Sequence, residues 1–332
     1  MAKHYPVCLL LLAMLLCESA RAQQDVQFSQ YVFNMLNVNT AYAGYRGGTS
    51  FNAIYRRQWE GIPGSPKSAG ASIDWLTPAA EDRMALSANF LHEELGPQKT
   101  LSVGAGYTYR IPLDASGARR LCFGIGGGFT QYRLDGTLLT YVDEHDNSIP
   151  VTNASHIEPD ANFGVYYYTP KWYATASIRN LLQTTGVKGF NWNDEYFRTL
   201  ERNPHLYLGA GTVISLAENF KLKPSFLWKD DFKGPSNVDL SCFLNIHELV
   251  WIGGSYRTGI RIWDASGKNM DLTNRDAASA MVEFMAAKWL RVGYAYDFTT
   301  SGLRNYQSGS HEISISLFMP KKGVREVSPR YF

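Results

Sequence analysis

Apolar and polar residues alternate with a period of two along most of the chain, and this pattern limits the fold more than any other feature. In the three clearest stretches the apolar positions are Leu101, Val103, Ala105, Tyr107 and Tyr109, then Leu206, Leu208, Ala210, Thr212 and Ile214, and finally Leu290, Val292, Tyr294, Tyr296 and Phe298. Since successive side chains of a strand point to opposite faces, each stretch predicts a strand with one apolar face. About fourteen such segments of about nine to eleven residues can be counted, which is the length that a tilted membrane strand requires.

The lengths of the connections distinguish a barrel from a β-sandwich. Long connections are expected at 132–160, 180–204, 258–276 and 299–309, and tight turns at 169–170, 217–218, 246–247 and 288–289. Long loops at one rim and tight turns at the other are typical of outer-membrane barrels, whereas a sandwich has no reason to keep that order. The sequence therefore predicts an all-β fold, an integral outer-membrane antiparallel β-barrel over residues 49–319 with both termini on the periplasmic side.

The first 22 residues resemble an export signal that is cleaved before Gln23. Lys3 provides a short basic start, Val7 to Leu16 is almost wholly apolar, and Ala20-Arg21-Ala22 fits the small-x-small cleavage rule. No later apolar run approaches the about 18 residues of a membrane-spanning helix. The formal net charge of the 332 residues is only +2, which gives no reason to expect nucleic acid as a partner.

The inward faces of the predicted strands carry charged and small residues. The charged ones are Asp74, Arg110, Lys221, Lys223, Glu283, Arg291 and Asp297. Arg or Lys on the lipid face near mid-bilayer costs about 2–4 kcal/mol, so this placement fits a barrel. The small ones are Gly104, Gly106, Gly124, Gly126, Gly128, Gly209, Gly211 and Gly293. Small inward residues leave room in the lumen for water or for a filler, and a passive porin or channel is therefore the alternative to a filled barrel.

Residues 23–48 precede the first strand and combine amides with aromatic rings. This segment is too polar for lipid, because its backbone would find no hydrogen-bond partners there. We expect it to lie inside the lumen or across the periplasmic mouth against a partner. In either place the amides of Gln30, Asn34 and Asn39 can bond exposed backbone groups. Phe28, Phe33 and Tyr42 are expected to fill the space left by inward glycines. A disordered leader is the alternative.

Catalytic and metal-binding patterns are weak. The densest acidic stretch, Asp143 to Asn147, shares its predicted outer loop with His156, Glu158 and Asp160, but it lacks the regular ligand spacing of a calcium loop. A solvated loop is the preferred interpretation. No Ser, His and acid can be tied together by sequence, so we expect no catalytic residues, no metal and no cofactor.

Four blocks of sequence resemble one known family. "QFSQYVFNMLNVNTAYAG" resembles the start of PorP/SprF proteins of the type IX secretion system, usually QFSQYMFNPLxxNPAYAG. "YRRQWEGIPGSPKS" resembles the family's YRxQWxGxxGAPKT, and "VGYAYDFTTSGLRNYQSGSHEISIS" is similar to its YSYDxxxSxLxxYxxGSHEI block. "SPRYF" is similar to its closing C/SPRFF. Met35 and Thr40 replace two prolines of the pattern and Ser65 replaces an alanine.

The resemblance implies a non-catalytic outer-membrane component of the type IX secretion machine, required for export or surface delivery of proteases, adhesins or gliding adhesins. Implied partners are the ring and motor proteins of that machine, an OmpA-like peptidoglycan-binding lipoprotein, the secreted cargo and outer-membrane lipid. The motif residues expected to dock a partner or fill the lumen are Gln30, Tyr31, Asn34, Asn39, Tyr42, Gly44, Arg56, Gln58, Trp59 and Pro66.

The end of the chain has two expected parts. The last strand, His311 to Phe318, is expected to carry a general outer-membrane assembly signal through Ile313, Ile315 and Leu317, which alternate with serines. Residues 320–332 form a predicted periplasmic tail that ends in Arg330, Tyr331 and Phe332.

Overall fold

The computed structural model describes residues 26–139, 153–184, 190–192, 195–197, 203–232, 236–260 and 275–321. The predicted signal peptide, the Asp143 stretch and all but the first two residues of the predicted tail lie outside these ranges. Among the described residues, no helix is both long enough and apolar enough to cross a membrane.

The described part of the chain consists mainly of antiparallel strands. They are β1 (Gly48–Arg57), β2 (Lys67–Leu76), β3 (Met84–Leu95), β4 (Gln98–Pro112), β5 (Arg120–Asp135), β6 (Asn153–Tyr168), β7 (Trp172–Arg179), β8 (Phe190–Trp192), β9 (Glu195–Phe197), β10 (His205–Thr212), β11 (Ile214–Ala217), β12 (Phe220–Asp230), β13 (Ser236–Ile246), β14 (Val250–Ile260), β15 (Arg275–Ala287), β16 (Leu290–Thr299) and β17 (Ser310–Pro320). β8 and β9 form a separate hairpin.

The other strands close into a ring. Apart from β10 and β11, strands that follow each other along the chain pair with each other, β1 pairs with β17, and β10 pairs with both β7 and β12. β10 and β11 lie one behind the other along β12 and form one wall strand. The described residues therefore build a closed antiparallel barrel of 14 strands, and the predicted fold is confirmed.

The two ends of the barrel differ in their connections. Residues 77–83, 113–119, 169–171, 218–219, 247–249 and 288–289 connect strands at one end, the short-turn rim. Residues 58–66, 136–152, 180–204, 231–235, 261–274 and 300–309 connect them at the other end, the long-loop rim. The turn at 96–97 is the exception, because it is tight and lies at the long-loop rim. Gly48 and Pro320 are paired at the short-turn rim.

Burial alternates along the strands as the sequence predicts. In β1, Ser50, Asn52 and Arg56 are buried whereas Phe51 and Tyr55 are exposed. Of the charged residues predicted to point inward, five are buried: Asp74, Arg110, Lys223, Glu283 and Asp297. The outward face is apolar around the ring, with exposed Phe90, Ile125, Phe163, Phe226, Leu240, Ile252, Phe284, Val292 and Ile315. This is the surface that a hydrocarbon environment requires.

Two details of the strand prediction are wrong. The sixth strand was expected to begin at Ala161, but β6 begins at Asn153, because its first half pairs with β5 beyond the apolar part of the wall. His156, Glu158 and Asp160 therefore lie on a strand and not on a loop. The second detail is Pro224, which interrupts the alternation of the ninth predicted strand and predicts a bulge there. Instead, β12 stays in register with β13 through Pro224. Since proline donates no backbone hydrogen bond, the interruption falls on the other neighbour, at Val213 between β10 and β11.

Candidate functional site

The N-terminal segment that precedes β1 lies inside the barrel. Residues 26–47, called here the lumen segment, contain three short 3-10 helices, Ser29–Phe33, Met35–Asn37 and Thr40–Tyr42. Most of its residues are buried, although it belongs to no strand. It supplies Tyr31, Val32, Phe33, Leu36 and Tyr42 to the main apolar cluster of the molecule.

The lumen segment follows an S-shaped path from one rim to the other. Its Gln27 accepts a hydrogen bond of 3.0 Å from Lys229, one residue from the long-loop end of β12. Phe33 then packs 4.9 Å from Phe243, towards the short-turn rim. The chain returns to the long-loop end, where Arg179 donates to the Asn37 carbonyl. It finally reaches the short-turn rim, where the Arg46 guanidinium lies 4.5 Å above the Phe318 ring.

A cluster of buried charges holds the first turn of the lumen segment. The backbone N–H groups of Ser29 and Gln30 donate to the two carboxylate oxygens of Glu312, over 2.9 and 2.8 Å. The Ser29 hydroxyl donates to Asp297 at 2.8 Å. Arg56 forms ion pairs with Asp297 at 2.6 Å and with Glu312 at 3.0 Å. We call Ser29, Arg56, Asp297 and Glu312 the Glu312 cluster.

The Gln30 side chain extends this cluster along β17. Its amide nitrogen donates to the Glu312 carbonyl at 3.3 Å, and its oxygen accepts from the Ser314 hydroxyl at 2.7 Å. The wall therefore bonds the backbone and the side chains of residues 29 and 30 together. Because buried carboxylates and guanidinium groups are costly unless fully paired, the position of the first turn is strongly specified.

Asn39 fixes the middle of the lumen segment to β6 and β7. Its side-chain NH₂ donates to the Val165 carbonyl at 2.9 Å, the Thr175 hydroxyl at 2.8 Å and the Ala176 carbonyl at 3.1 Å. Its side-chain oxygen accepts from the Ala41 N–H at 2.8 Å and so caps the third 3-10 helix. One asparagine thus bonds the wall with one end of its amide and the segment with the other.

The last part of the lumen segment turns against β2 and a group of tyrosines. The Gly44 N–H donates to Asp74 at 2.8 Å. Gly44 has φ +72°, and a Cβ there would lie 2.7 Å from the Cβ of Ala85, so both the backbone conformation and the space require glycine. Tyr42 packs edge-on against Tyr166, with ring centroids 5.4 Å apart.

Several inward glycines of the wall provide space for the lumen segment. A Cβ on Gly106 would lie 2.4 Å from Thr40, and one on Gly124 would lie 2.3 Å from the Ala41 nitrogen. The same atom on Gly164 would lie 1.9 Å from the Asn39 oxygen, and on Gly293 it would lie 2.2 Å from the Gln30 oxygen. No real Cβ contact is this short, so the backbone of the wall touches the segment directly.

Two details of the expected filling are wrong. Polar and small residues, and not Phe33 and Tyr42, occupy most of the space that the glycines leave, because the aromatic rings pack on other aromatic rings of the wall. Asn34 is buried, yet its side-chain oxygen has no hydrogen-bond partner within the described residues. Thr40, which replaces a family proline, donates its hydroxyl to Asn162.

Asn39→Ala is expected to lower the free energy of unfolding of the barrel by about 1–3 kcal/mol, because the carbonyls of Val165 and Ala176 then lose a donor. The matched control is Asn34→Ala, which removes a buried oxygen without a partner and is expected to change stability by less than about 0.5 kcal/mol. The measurement is the urea concentration at which each purified barrel loses its compact electrophoretic migration. Equal shifts in both variants would contradict the assigned role of Asn39.

The second motif block lies at the long-loop rim, next to the Glu312 cluster. The Gln58 N–H donates to the Pro66 carbonyl at 2.9 Å and closes the loop 58–66. The Trp59 N–H donates to the Ser310 hydroxyl at 3.1 Å. Glu60 exchanges two backbone hydrogen bonds with loop 300–309, from its N–H to the Gly309 carbonyl and from the Ser308 N–H to its own carbonyl. Loops 58–66 and 300–309 belong to motif blocks that lie far apart in sequence, and these hydrogen bonds hold them together at the long-loop rim. We call this pair of loops the ledge.

The residues expected at the end of the chain are only partly described. Ile313 and Ile315 are exposed on the outer face of β17, and Leu317 lies on the same face by alternation. Lys321 forms an ion pair with Asp82 at the short-turn rim. Arg330, Tyr331 and Phe332 lie outside the described residues, as does the Asp143 stretch.

Sequence reasoning missed Glu312, Ser29 and Gly164 as site residues. Glu312 and Ser29 stand within the quoted motif blocks, and Gly164 has the inward parity of β6, so each carried a signal. The pattern along one strand does not say which residues of distant segments meet, and this pairing defines the site.

Comparison with solved structures finds other outer-membrane proteins at low identity. Omp33 of Acinetobacter baumannii is 7% identical, with 82% of this chain and 98% of that chain covered and a TM-score of 0.45. The toluene transporter TbuX of Ralstonia pickettii is 9% identical, with 87% and 92% covered and a TM-score of 0.49. BamA of Haemophilus ducreyi is 11% identical, with 82% and 70% covered and a TM-score of 0.41. No curated protein matches the chain in sequence.

The fold and the site define the class of protein: an outer-membrane β-barrel with a segment of its own chain inside the lumen. Within this class, residues 20–317 match the family of the type IX secretion system membrane protein PorP/SprF, and the chain belongs to that family. The resemblance to that family is thereby confirmed over the first three motif blocks, whereas the fourth block, residues 328–332, lies beyond the matched residues. The first three of these blocks carry the Glu312 cluster: Ser29 lies in the first, Arg56 in the second, and Asp297 and Glu312 in the third.

Proposed function

We propose that this protein is a non-catalytic component of the type IX secretion machine that acts through protein contacts and not by conducting solutes. The observation that supports this proposal is the lumen segment, which is bonded to the wall at both rims and in the middle. A passive porin needs a continuous water path along its axis. Here buried residues of the lumen segment, such as Tyr31, Val32 and Asn39, lie inside the lumen.

The proposal includes the export or surface delivery of cargo, whether proteases, adhesins or gliding adhesins. The partners would be the ring and motor proteins of the machine and an OmpA-like peptidoglycan-binding lipoprotein, met on the periplasmic side. The proposed orientation places the long-loop rim at the cell surface, as in other outer-membrane barrels. The proposed limits are a cleaved signal at 1–22, a segment at 23–48, the barrel at 49–319 and a tail at 320–332.

Replacing Asn34, Asn39 and Tyr42 together by alanine is expected to leave a folded, heat-modifiable barrel in the outer membrane and to abolish secretion or partner pull-down. The reason is that the segment loses the hydrogen bonds of Asn39 to the wall and the packing of Tyr42 on Tyr166, while the strand ladder is untouched. The matched control is Asn153→Ala at the exposed start of β6, which should secrete normally.

Full secretion by the triple variant would mean that residues 23–48 are only a leader. The channel alternative is tested with purified wild-type protein in a planar lipid bilayer. A steady current through the wild type would contradict the proposal, whereas we expect the bilayer to stay closed.

A further inference from the structure

The two described ends of the chain lie at opposite rims of the barrel. Lys321 leaves the wall at the short-turn rim, where its N–H points to the Gly47 carbonyl and its amine pairs with Asp82. Gln27 lies at the other end, beside Lys229. Lys229 in turn forms an ion pair of 2.7 Å with Asp239, and Arg257 donates to the same carboxylate at 2.8 Å. This arrangement differs from the expectation of two periplasmic termini.

Two independent sets of contacts place the start of the lumen segment at the long-loop rim. One is the contact of Gln27 with the penultimate residue of β12. The other is the Glu312 cluster on the opposite side of the lumen, where Arg56 is the penultimate residue of β1 and Glu312 is the third residue of β17. Both β1 and β12 end at the long-loop rim, and β17 begins there. Val26 therefore precedes the anchored turn at this mouth.

We propose that the chain enters the lumen at the long-loop rim, with Val26 at this mouth, so that it first crosses the lumen and then turns into β1 at Gly48. This inference rests on the proposed orientation: with the long loops outside, Val26 lies at the cell-surface mouth of the barrel. It then stands beside the ledge that loops 58–66 and 300–309 form, and both elements belong to one outward-facing surface.

The anchoring of residues 29 and 30 explains why the start of the lumen segment stays at the long-loop rim. Two backbone N–H groups, one hydroxyl and one carboxamide are bonded by three wall residues on adjacent strands, Asp297, Glu312 and Ser314. Reversing the direction of the segment would remove the hydrogen bonds that Ser29 and Gln30 donate to these buried carboxylates and leave only Arg56 as their charged partner. Lost hydrogen bonds to buried charges are strongly unfavourable. The wall therefore specifies the direction in which the segment runs.

The test is the labelling of single cysteines with a membrane-impermeant maleimide in intact cells. The probe position is Val26→Cys, with Tyr306→Cys as the reference for the long-loop rim and Ser116→Cys as the reference for the short-turn rim; Tyr306 and Ser116 are both exposed. Each variant is made in a Cys242→Ala background, because that thiol is exposed whereas Cys122 is buried. Heat-modifiable migration verifies that each barrel has folded.

We expect Val26→Cys and Tyr306→Cys to be fully modified in intact cells, and Ser116→Cys only after the outer membrane is permeabilised. If Val26→Cys follows Ser116→Cys, the inference is overturned. If Val26→Cys and Tyr306→Cys both react only after permeabilisation, the shared rim is supported and the proposed orientation fails. The two proposals are thus separately falsifiable.

Discussion

Glu312→Ala is expected to lower the free energy of unfolding by about 3–5 kcal/mol, the largest effect of any single substitution proposed for this protein. The variant leaves the N–H groups of Ser29 and Gln30 without an acceptor and removes one of the two carboxylates that neutralise Arg56. Because the residue lies inside the lumen, water does not replace the lost partner. The measurement is the urea midpoint of unfolding in detergent, converted with the slope of the transition.

The matched control for Glu312→Ala is Glu94→Ala. Glu94 pairs with Lys99 at 3.5 Å, but its side chain is 37% exposed at the long-loop rim. Exposed pairs of this kind contribute about 0–1 kcal/mol. A loss for Glu312→Ala as small as that for Glu94→Ala would mean that the Glu312 cluster does not anchor the lumen segment. A second measurement is limited proteolysis. The lumen segment should be cleaved earlier in Glu312→Ala than in the wild type, because it is no longer anchored to the wall.

Gly124→Ala is expected to displace the lumen segment at a cost of about 1–3 kcal/mol. The added methyl group would lie 2.3 Å from the nitrogen of Ala41, which is backbone and cannot rotate away. We expect the bonds of the neighbouring Asn39 to be strained as well, so that protease protection of the segment and thermal stability fall together. Both are measured on the purified barrel.

Gly127→Ala on the same strand is the matched control, because a Cβ there has only one neighbour within 4 Å, the Asp160 carbonyl at 3.8 Å. This variant should leave protease protection of the segment and thermal stability close to those of the wild type. A double-mutant cycle completes the test: in a barrel that lacks residues 26–45, Gly124→Ala should also be close to neutral. If Gly124→Ala lowers stability equally with and without the segment, the methyl group perturbs the wall itself.

The barrel could be predicted from the sequence because its determinants are local. Alternation places Phe51 and Tyr55 outside and Asn52 and Arg56 inside, whatever the neighbouring strand is. The failure at β6 has a physical reason: residues 153–160 contain a proline and five polar side chains, which is the composition of a loop. Their strand conformation comes from pairing with β5, in register from Asp135↔Asn153 onwards, and not from their own propensity.

The filled lumen was predictable in kind but not in detail. Inward glycines indicate a space, and a polar aromatic segment indicates something that must be buried with partners. The partner of Gly164 is Asn39, 125 positions earlier, and nothing along the chain encodes that pairing. Asn34 shows the opposite kind of error. Its residue type predicts a hydrogen bond, but its side-chain oxygen has no partner within the described residues.

The hydrogen bonds of Ser29 and Gln30 to Glu312 join residues 283 and 282 positions apart. Arg56 and Glu312 are register partners in the β1–β17 pair, which joins the first and last strands. A polypeptide that stops before β17 therefore lacks both the carboxylate that receives the two amides and the strand that completes the wall. We therefore expect that only a chain that reaches β17 can bury its own beginning, and that a chain which ends earlier leaves that beginning accessible to proteases.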